Sequence, residues 1–563
     1  MAPGFWRRHG KVRGNLLMAY RGTTVQYPLG NGGFNGIRNR DLIPLGHLAK
    51  ARNVRFETSS IVKAGGLALY DSNAIAATPN CLAGHDWHPT AALQRQVTAW
   101  ANGDVYKEVS GDQDSVTWAT GLTLDKPIVF VEGGQETATA GNRKLYMYME
   151  GIPPREALAD AGASGLAEIA NTKWPGGAGG DWSADGPAGA IWHDYRIFAF
   201  GHPTYPHTIY TSNLDDHADF TAGEPSPPIF QVSPGSAERI SALASDFQTG
   251  SRDLYVFKYP KGIFRINTTS IVSAYISTDT VTTDIGCPGP NAVAQVENDV
   301  WFIGQDGHIY SLASVISEQN VARADITELL NLEDWLNEFV GRTEAKLKFA
   351  RILYDPKRKE VHVTYRGIGD SLGSVSLIVN VSQQNNPRIV VEDRGTYFEA
   401  QWLSRQSTGE DKLYTGGSGG VFYKANDGTI TIGASTTYTS EFEIPGTDFS
   451  WVSPGLRDRV KRFDWFSVSV VDSGSGQLQF DFYIDGVLYS SDTADLTASG
   501  DALDTGVLDA FQLGGGLQMR TYKVKIGGFG VRFGAVIKSN DSEKFEIAGA
   551  DIGFKPLGQK GEH

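Results

Sequence analysis

The sequence predicts an all-β chain, a β-propeller of about six or seven irregular blades followed by a C-terminal β-sandwich. Three observations carry that expectation. First, one phrase recurs: a β-rich run, a turn containing Gly, a β-branched residue and an aromatic. It is clearest at 299–312 (DVWFIGQDGHIYSL) and returns at 97–109, 253–266 and 412–424. Alternation broken by a Gly-bearing turn is the local signature of a β-hairpin, because Gly tolerates the positive φ of a tight turn. Second, the turn glycines Gly103, Gly262, Gly307 and Gly420 are separated by 159, 45 and 113 residues. Those gaps approximate three, one and two steps of roughly fifty residues, the size of a propeller blade. Third, long alternating strands follow a change of composition near residue 428, at 462–471, 477–489 and 522–533.

Degenerate copies of the phrase occupy the missing steps at 144–149 (KLYMYM), 195–210 and 361–379. A single hairpin cannot bury its own apolar face, whereas a ring of them can. A large sandwich or a stack of β-domains would show the same alternation, since strands alone do not fix closure.

With 563 residues the chain exceeds the size at which one core keeps growing, so at least two domains are expected. Its 66 Gly, 27 Phe, 22 Tyr and 12 Trp suit strands joined by many turns. Two cysteines, Cys81 and Cys287, are too few for a disulfide framework. No run approaches the ~18 apolar residues of a membrane helix, so no membrane span is expected. An excess of 64 acidic over 50 basic residues argues against a surface built to grip nucleic acid.

In chain order, residues 1–26 read as a basic arm. Arg7, Arg8, Lys11 and Arg13 precede only a short apolar patch at 16–19, too little for a signal peptide. Residues 27–428 are assigned to the propeller. Within them, Gly32-Gly33-Phe34-Asn35 begins an extended segment, Pro44-Leu45-Gly46 makes a turn, and 51–55 enters a strand leading to Gly65-Gly66. Cys81, His85 and His88 have the spacing of half a zinc site. Zinc normally takes four ligands and no second cluster is evident, so a polar loop without metal is the expectation. The Gly-rich stretch 151–190 lacks the Gly-Lys-Ser/Thr of a phosphate loop and reads as a blade insertion and candidate partner contact. Asp215, Asp216 and Asp219 lack the spacing of an EF-hand. Residues 317–342 are the one helical region, with Leu329, Leu330, Trp335 and Phe339 near helical spacing. Residues 429–563 form the sandwich. There Asp485-Gly486 marks a hairpin, and Phe545, Ile547, Ile552 and Phe554 face the core of the last strand, with a bulge at Gly549.

Three stretches carry a family resemblance. The first runs G-G-Φ-N at 32–35, then Φ-P-x-G-x-Φ-x-x-A-x-N-V-R at 43–55, then Gly65-Gly66. The second is 285–312, IGCPGPNAVAQVENDVWFIGQDGHIYSL, and the third is 542–558, SEKFEIAGADIGFKPLG. In this order they resemble the tail β-propeller proteins of short-tailed phages, the nozzle or hub proteins also called packaged-DNA stabilisation proteins. The resemblance implies a structural virion protein, forming a homo-hexameric ring at the distal end of the tail. Such a ring extends the DNA channel below the portal and head-to-tail adaptor, retains packaged DNA, takes part in ejection, and carries fibres or receptor-binding proteins. It implies double-stranded DNA passing through the lumen without specific binding.

A carbohydrate-binding or carbohydrate-active propeller is the alternative. Glycosidases need a carboxylate pair at defined separation, but the sialidase S-x-D-x-G-x-T-W repeat is absent, as is a G-x-S-x-G elbow in plausible context. A generic propeller scaffold of the WD or kelch type is disfavoured because the chain lacks the G-H…W-D signature and its blades are irregular in length. No catalytic residue, cofactor or metal ligand is therefore assigned, and the chain is expected not to be an enzyme.

Overall fold

The computed structural model describes residues 23–29, 32–57, 60–70, 74–90, 93–108, 115–122, 126–133, 143–157, 165–183, 185–214, 216–221, 229–246, 252–268, 278–368, 374–382, 387–393, 400–405, 411–425, 431–432, 436–471, 476–496 and 519–557. The chain divides into two compact units. One is built from 1–35, 39–64 and 437–563, the other from 36–38 and 65–436.

The larger unit is a seven-bladed β-propeller. Blades 1 to 4 are antiparallel four-stranded sheets at 81–119, 128–168, 189–231 and 239–282. Blade 5 has three strands at 293–311, blade 6 has four at 351–392, and blade 7 combines three strands at 400–425 with Leu67–Leu69. In each blade the first strand lies innermost. These inner strands touch in chain order, and the ring closes where Ala400–Arg405 meets Cys81–Thr90. The outer strand of blade 7 comes from the start of the unit, with Leu69 opposite Tyr423, Ala68 opposite Lys424 and Leu67 opposite Ala425. Closure thus joins the two ends of the propeller by backbone pairing.

The turn glycines fall where the period placed them. Gly103, Gly262, Gly307 and Gly420 have φ of 87°, 113°, 85° and 71°, and each links the second and third strands of its blade. The blades are 1, 4, 5 and 7, so the three gaps are three, one and two blades.

Apolar clusters fill the seams. Between blades 1 and 2 the Trp87 and Trp118 rings are 5.3 Å apart, with Val97, Leu145 and Met147 around them. Residues 151–190 are not an insertion. Arg155–Ala157 and Leu166–Glu168 are the outer strands of blade 2, and the connection to blade 3 buries Trp174 and Trp182 against Tyr148, Tyr210 and Phe220. The glycines there made the stretch look like a loop, while its few aromatics decide the packing. Asp216 pairs with Lys173 at 2.5 Å, Asp219 accepts from Thr221 N, and Asp215 lies outside the described residues.

The helical region is broken into short helices, Leu312–Glu318, Ile326–Leu329, Glu333–Phe339 and Glu344–Leu347, after the third strand of blade 5. Leu330, Leu336 and Trp335 are buried, but Leu329 is 73% and Phe339 42% exposed. Each helix is capped before it completes three turns, so no single apolar stripe extends over 317–342.

The smaller unit is a β-sandwich. One sheet orders Met519–Gly530, Lys461–Val471, Glu546–Pro556, Ile61–Lys63 and Val54–Phe56, with Thr23–Tyr27 also paired to Glu546–Pro556. The other contains Lys50–Arg52, Ser440–Thr447, Phe533–Ser539, Gln477–Ile484 and Val487–Asp495. Phe463, Phe466, Phe480, Phe482, Phe533 and Phe554 are fully buried between them, with Phe466 5.5 Å from Phe482 and Phe463 5.2 Å from Phe533. Phe545, Ile547, Ile552 and Phe554 are all buried, and the register shifts opposite Ser469–Val470, where Ala548, next to Gly549, is the extra residue of the bulge. Asp485 and Gly486 form the expected two-residue turn, with φ of 51° and 80°.

The division differs from the expected one. Residues 23–64, assigned from sequence to the arm and the propeller, mostly supply sandwich strands, so the propeller begins near residue 65 rather than 27. Pairs such as Ile61–Ile547 and Val25–Ile552 span almost the whole chain, and a local pattern names a strand without naming its partner.

Candidate functional site: the propeller axis

Inner strands from different blades converge on the propeller axis, so side chains and backbone groups of several blades meet there. At the end where these strands begin, the axis is filled by the chain itself. The segment 286–291, from the second resembling stretch, enters blade 5 there. Cys287 N donates to Lys258 O at 3.1 Å, Ser241 Oγ donates to Cys287 O at 2.6 Å, and Gly286 N donates to Gln305 Oε1 at 3.0 Å. A Cβ on Gly286 would stand 1.9 Å from Lys258 O, and one on Gly289 2.2 Å from Lys348 O, so close backbone approach requires both glycines.

Pro290 and Asn291 then reach toward the opposite blades. Asn291 Nδ2 donates to Ile128 O of blade 2 at 3.3 Å, and Pro290 packs beside Gly189 of blade 3. Arg351, at the head of blade 6, donates to Gln401 O at 3.0 Å and Leu82 O at 3.3 Å, tying blades 6, 7 and 1 together. The cavity that Asn291, Arg351, Leu82 and Pro127 line holds only about 20 Å³, room for a water molecule and no organic ligand.

Where the inner strands end, the lining is polar. Asp86 is buried and accepts from Gln94 Nε2 at 2.8 Å, Gln96 Nε2 at 2.7 Å and Arg405 N at 2.9 Å. Trp402 Nε1 donates to Gln96 Oε1 at 2.7 Å, continuing the network into blade 7. Burial raises the Asp86 carboxyl above its usual range, against the hydrogen bond from Gln94 and the neighbouring His88. Glu132 moves the other way. Burial favours its neutral form, but the His85 ring 3.3 Å away and the His88 amide hold it below the ordinary carboxylate range.

Cys81, His85 and His88 therefore sit on one strand, Cys81–Thr90, and not on a loop. Cys81 Sγ is buried toward Ala83 O, His85 faces Glu132, and His88 Nε2 lies 3.1 Å from Arg405 O. On one extended strand Cys81 and His85 are separated by four residues, roughly 13 Å, and His85 and His88 point to opposite faces, so the structure does not bring the three together. Among the described residues no group of three His, Cys, Asp or Glu is placed to hold a metal ion.

Sequence reasoning missed His193 and Lys258. His193 bridges blades 3 and 4, its Nδ1 and Nε2 each 3.0 Å from Ser245 Oγ and Thr268 Oγ1, and burial lowers its pKa. Lys258 is buried and donates to Ser233 O and Ser236 Oγ, both at 3.1 Å. Burial lowers its pKa to about 8. Both lie in strands whose alternation is apolar, so only their polarity at core positions marks them.

Fold and axis together define a closed β-propeller joined to a β-sandwich. No protein-family model and no curated protein matches the chain. Among solved structures it is similar to one described as YCF48 bound to D1 peptide, with 11% identity over 67% of this chain and 97% of that one and a TM-score of 0.36. No helix among the described residues is long and apolar enough to cross a membrane.

Proposed function

We propose that this protein is a structural component of a virion, the distal tail nozzle or hub of a short-tailed phage, and that it acts without catalysis. The observation that carries the reading is the ordered resemblance of 27–70, 285–312 and 542–558 to that family. In this chain each stretch occupies a demanding position. The first supplies sandwich strands and ends in the strand that closes blade 7. The second fills the propeller axis, and the third is an inner strand of a sandwich sheet.

On this reading six copies form a ring beneath the adaptor. Asn291 and Arg351 close the axis of each propeller, so the DNA passage runs between copies and not through a blade ring. A conduit for a polyanion is favoured by a lining that does not grip phosphate, which the net charge of −14 permits. Fibres or receptor-binding proteins attach to the outside.

Imaging of particles and mass measurement of the purified protein test the reading. A hexameric density below the adaptor supports it. A monomer absent from virions, or a ring that retains DNA at physiological salt, overturns it.

A further inference from the structure

A hollow of about 460 Å³ opens on the sandwich, within the roughly 300–1,000 Å³ range of small-ligand sites. Phe442, Ile444, Phe482 and Phe533 are buried in the sandwich core, so by the period of two Glu443, Tyr483 and Gly534 lie on the outer face of their sheet. The floor of the hollow is backbone. Ser440–Thr447 bulges at Pro445-Gly446, where its register against Phe533–Ser539 shifts, and Gly534 stands opposite. A Cβ on Gly534 would lie 3.1 Å from Ile444 O, so the bulge stays uncovered only because that residue is glycine. Tyr483, the cross-strand neighbour of Gly534, makes one wall. The short turn Arg40–Leu42 makes another, held by Asn39 Oδ1, which accepts from Asp41 N at 3.1 Å. The charged groups around the hollow are braced before any ligand arrives. Arg40 Nη1 lies 2.9 Å from Oε1 of the buried Glu443, and Arg532 pairs with Asp41. Asp485 Oδ1 accepts from Val531 N at 2.9 Å and Arg532 N at 2.8 Å.

We infer that this hollow binds a neutral saccharide of one or two rings. Its lining mixes the carboxylates of Asp41, Glu443 and Asp485 with the guanidinium groups of Arg40 and Arg532. A phosphate would meet the three carboxylates, and a metal cation would meet the two arginines. Vicinal hydroxyls suit both kinds of group, because a carboxylate accepts from two of them and a guanidinium donates to two. Tyr483 adds an apolar ring with a polar tip, the surface that the C–H face of a pyranose needs. The existing ion pairs fix these side chains in advance, which lowers the entropy lost on binding. Every lining residue belongs to the sandwich unit, and the inference is independent of the proposed virion role.

Saturation-transfer NMR on the full chain tests it, with glucose, galactose, mannose, N-acetylglucosamine, maltose, cellobiose and lactose as probes. At least one should bind with a Kd of about 1 mM or tighter. A Cβ on Gly446 meets no atom closer than 4.0 Å, so Gly446→Val fills the floor without a clash. It should weaken binding by roughly tenfold or more and leave the melting temperature unchanged. Should that variant fold poorly, Tyr483→Ala, which alters only the outer face, should show the same weakening. Failure of every probe to bind, or binding that survives both variants, overturns the inference. So does binding of inorganic phosphate or calcium that Gly446→Val abolishes, which would make an ion the occupant.

Discussion

The Nδ1 of His308 lies 2.6 Å from Oδ2 of Asp325, and its Nε2 lies 2.5 Å from Oε2 of Glu333. Both ring nitrogens face carboxylate oxygens, and only the imidazolium carries a proton on each. Asp325 caps the helix Ile326–Leu329, and Glu333 begins the next helix and also pairs with Arg342. A charged histidine at the blade 5 turn therefore pins both helices. Burial opposes the charge, but the Asp325 hydrogen bond and the charges of Asp306, Asp325 and Glu333 leave its pKa raised. A raised pKa gives stability that is complete below the unfolded value, near 6.5, and lost as pH rises through the folded value. The melting temperature should fall over that window, and His308→Gln should remove this part of the dependence. His308→Ala should cost about 2 kcal/mol at pH 6 and less at higher pH. Equal losses at both pH values would refute the pin.

The thiols should be silent. Cys287 is fully buried, and burial raises its pKa to about 12, while Cys81 is also buried. Thiolate is the reactive form. A disulfide-exchange reagent at pH 8 should label neither residue in native protein and both after denaturation. Rapid native labelling at Cys287 would contradict the packing at the axis.

Zinc should not bind tightly. His85 is engaged by Glu132 and Cys81 points into the blade 7 seam, so protein stripped of weak metal should contain well under one equivalent. Stoichiometric zinc that is lost in Cys81→Ala would refute this.

Removing residues 542–563 should destroy the sandwich. The strand Glu546–Pro556 pairs along Lys461–Val471 and also holds Thr23–Tyr27 and Ile61–Lys63. Its loss uncovers Phe545, Ile547, Ile552 and Phe554, each worth about 2–5 kcal/mol as a buried side chain. A 1–541 chain with an unchanged melting profile would show that the strand is peripheral.

The blades were legible because their punctuation is local. Gly103, Gly262, Gly307 and Gly420 need positive φ, and that demand is written in four single residues. The sandwich core was legible for a similar reason, as Ile547, Ile552 and Phe554 mark the apolar positions of one strand on either side of Gly549. What stayed hidden is long-range. Nothing near Ile61 announces Ile547, and nothing near Leu69 announces Tyr423. The axis stayed hidden too, because Asn291 and Arg351 act through backbone carbonyls of other blades, which leave no mark in the side-chain pattern.

Closure of the ring gives the last prediction. At the seam where blade 7 meets blade 1, a Cβ on Gly84 would lie 2.1 Å from Cε3 of Trp402 and within 2.4 Å of two more ring atoms. The indole is held against movement by its hydrogen bond to Gln96, by Tyr414 at 5.8 Å and by Phe422 at 5.7 Å. Gly84→Ala must therefore shift a packed aromatic, and should cost about 2–3 kcal/mol. Trp402→Ala alone should cost about 3–5 kcal/mol through the lost ring. In the double variant the added methyl enters the space the indole vacates, so the combined loss should fall at least about 1 kcal/mol short of the sum. Chemical denaturation of the four proteins measures that coupling. Strict additivity would mean that the two residues do not meet, and that blades 7 and 1 are not closed in the way described.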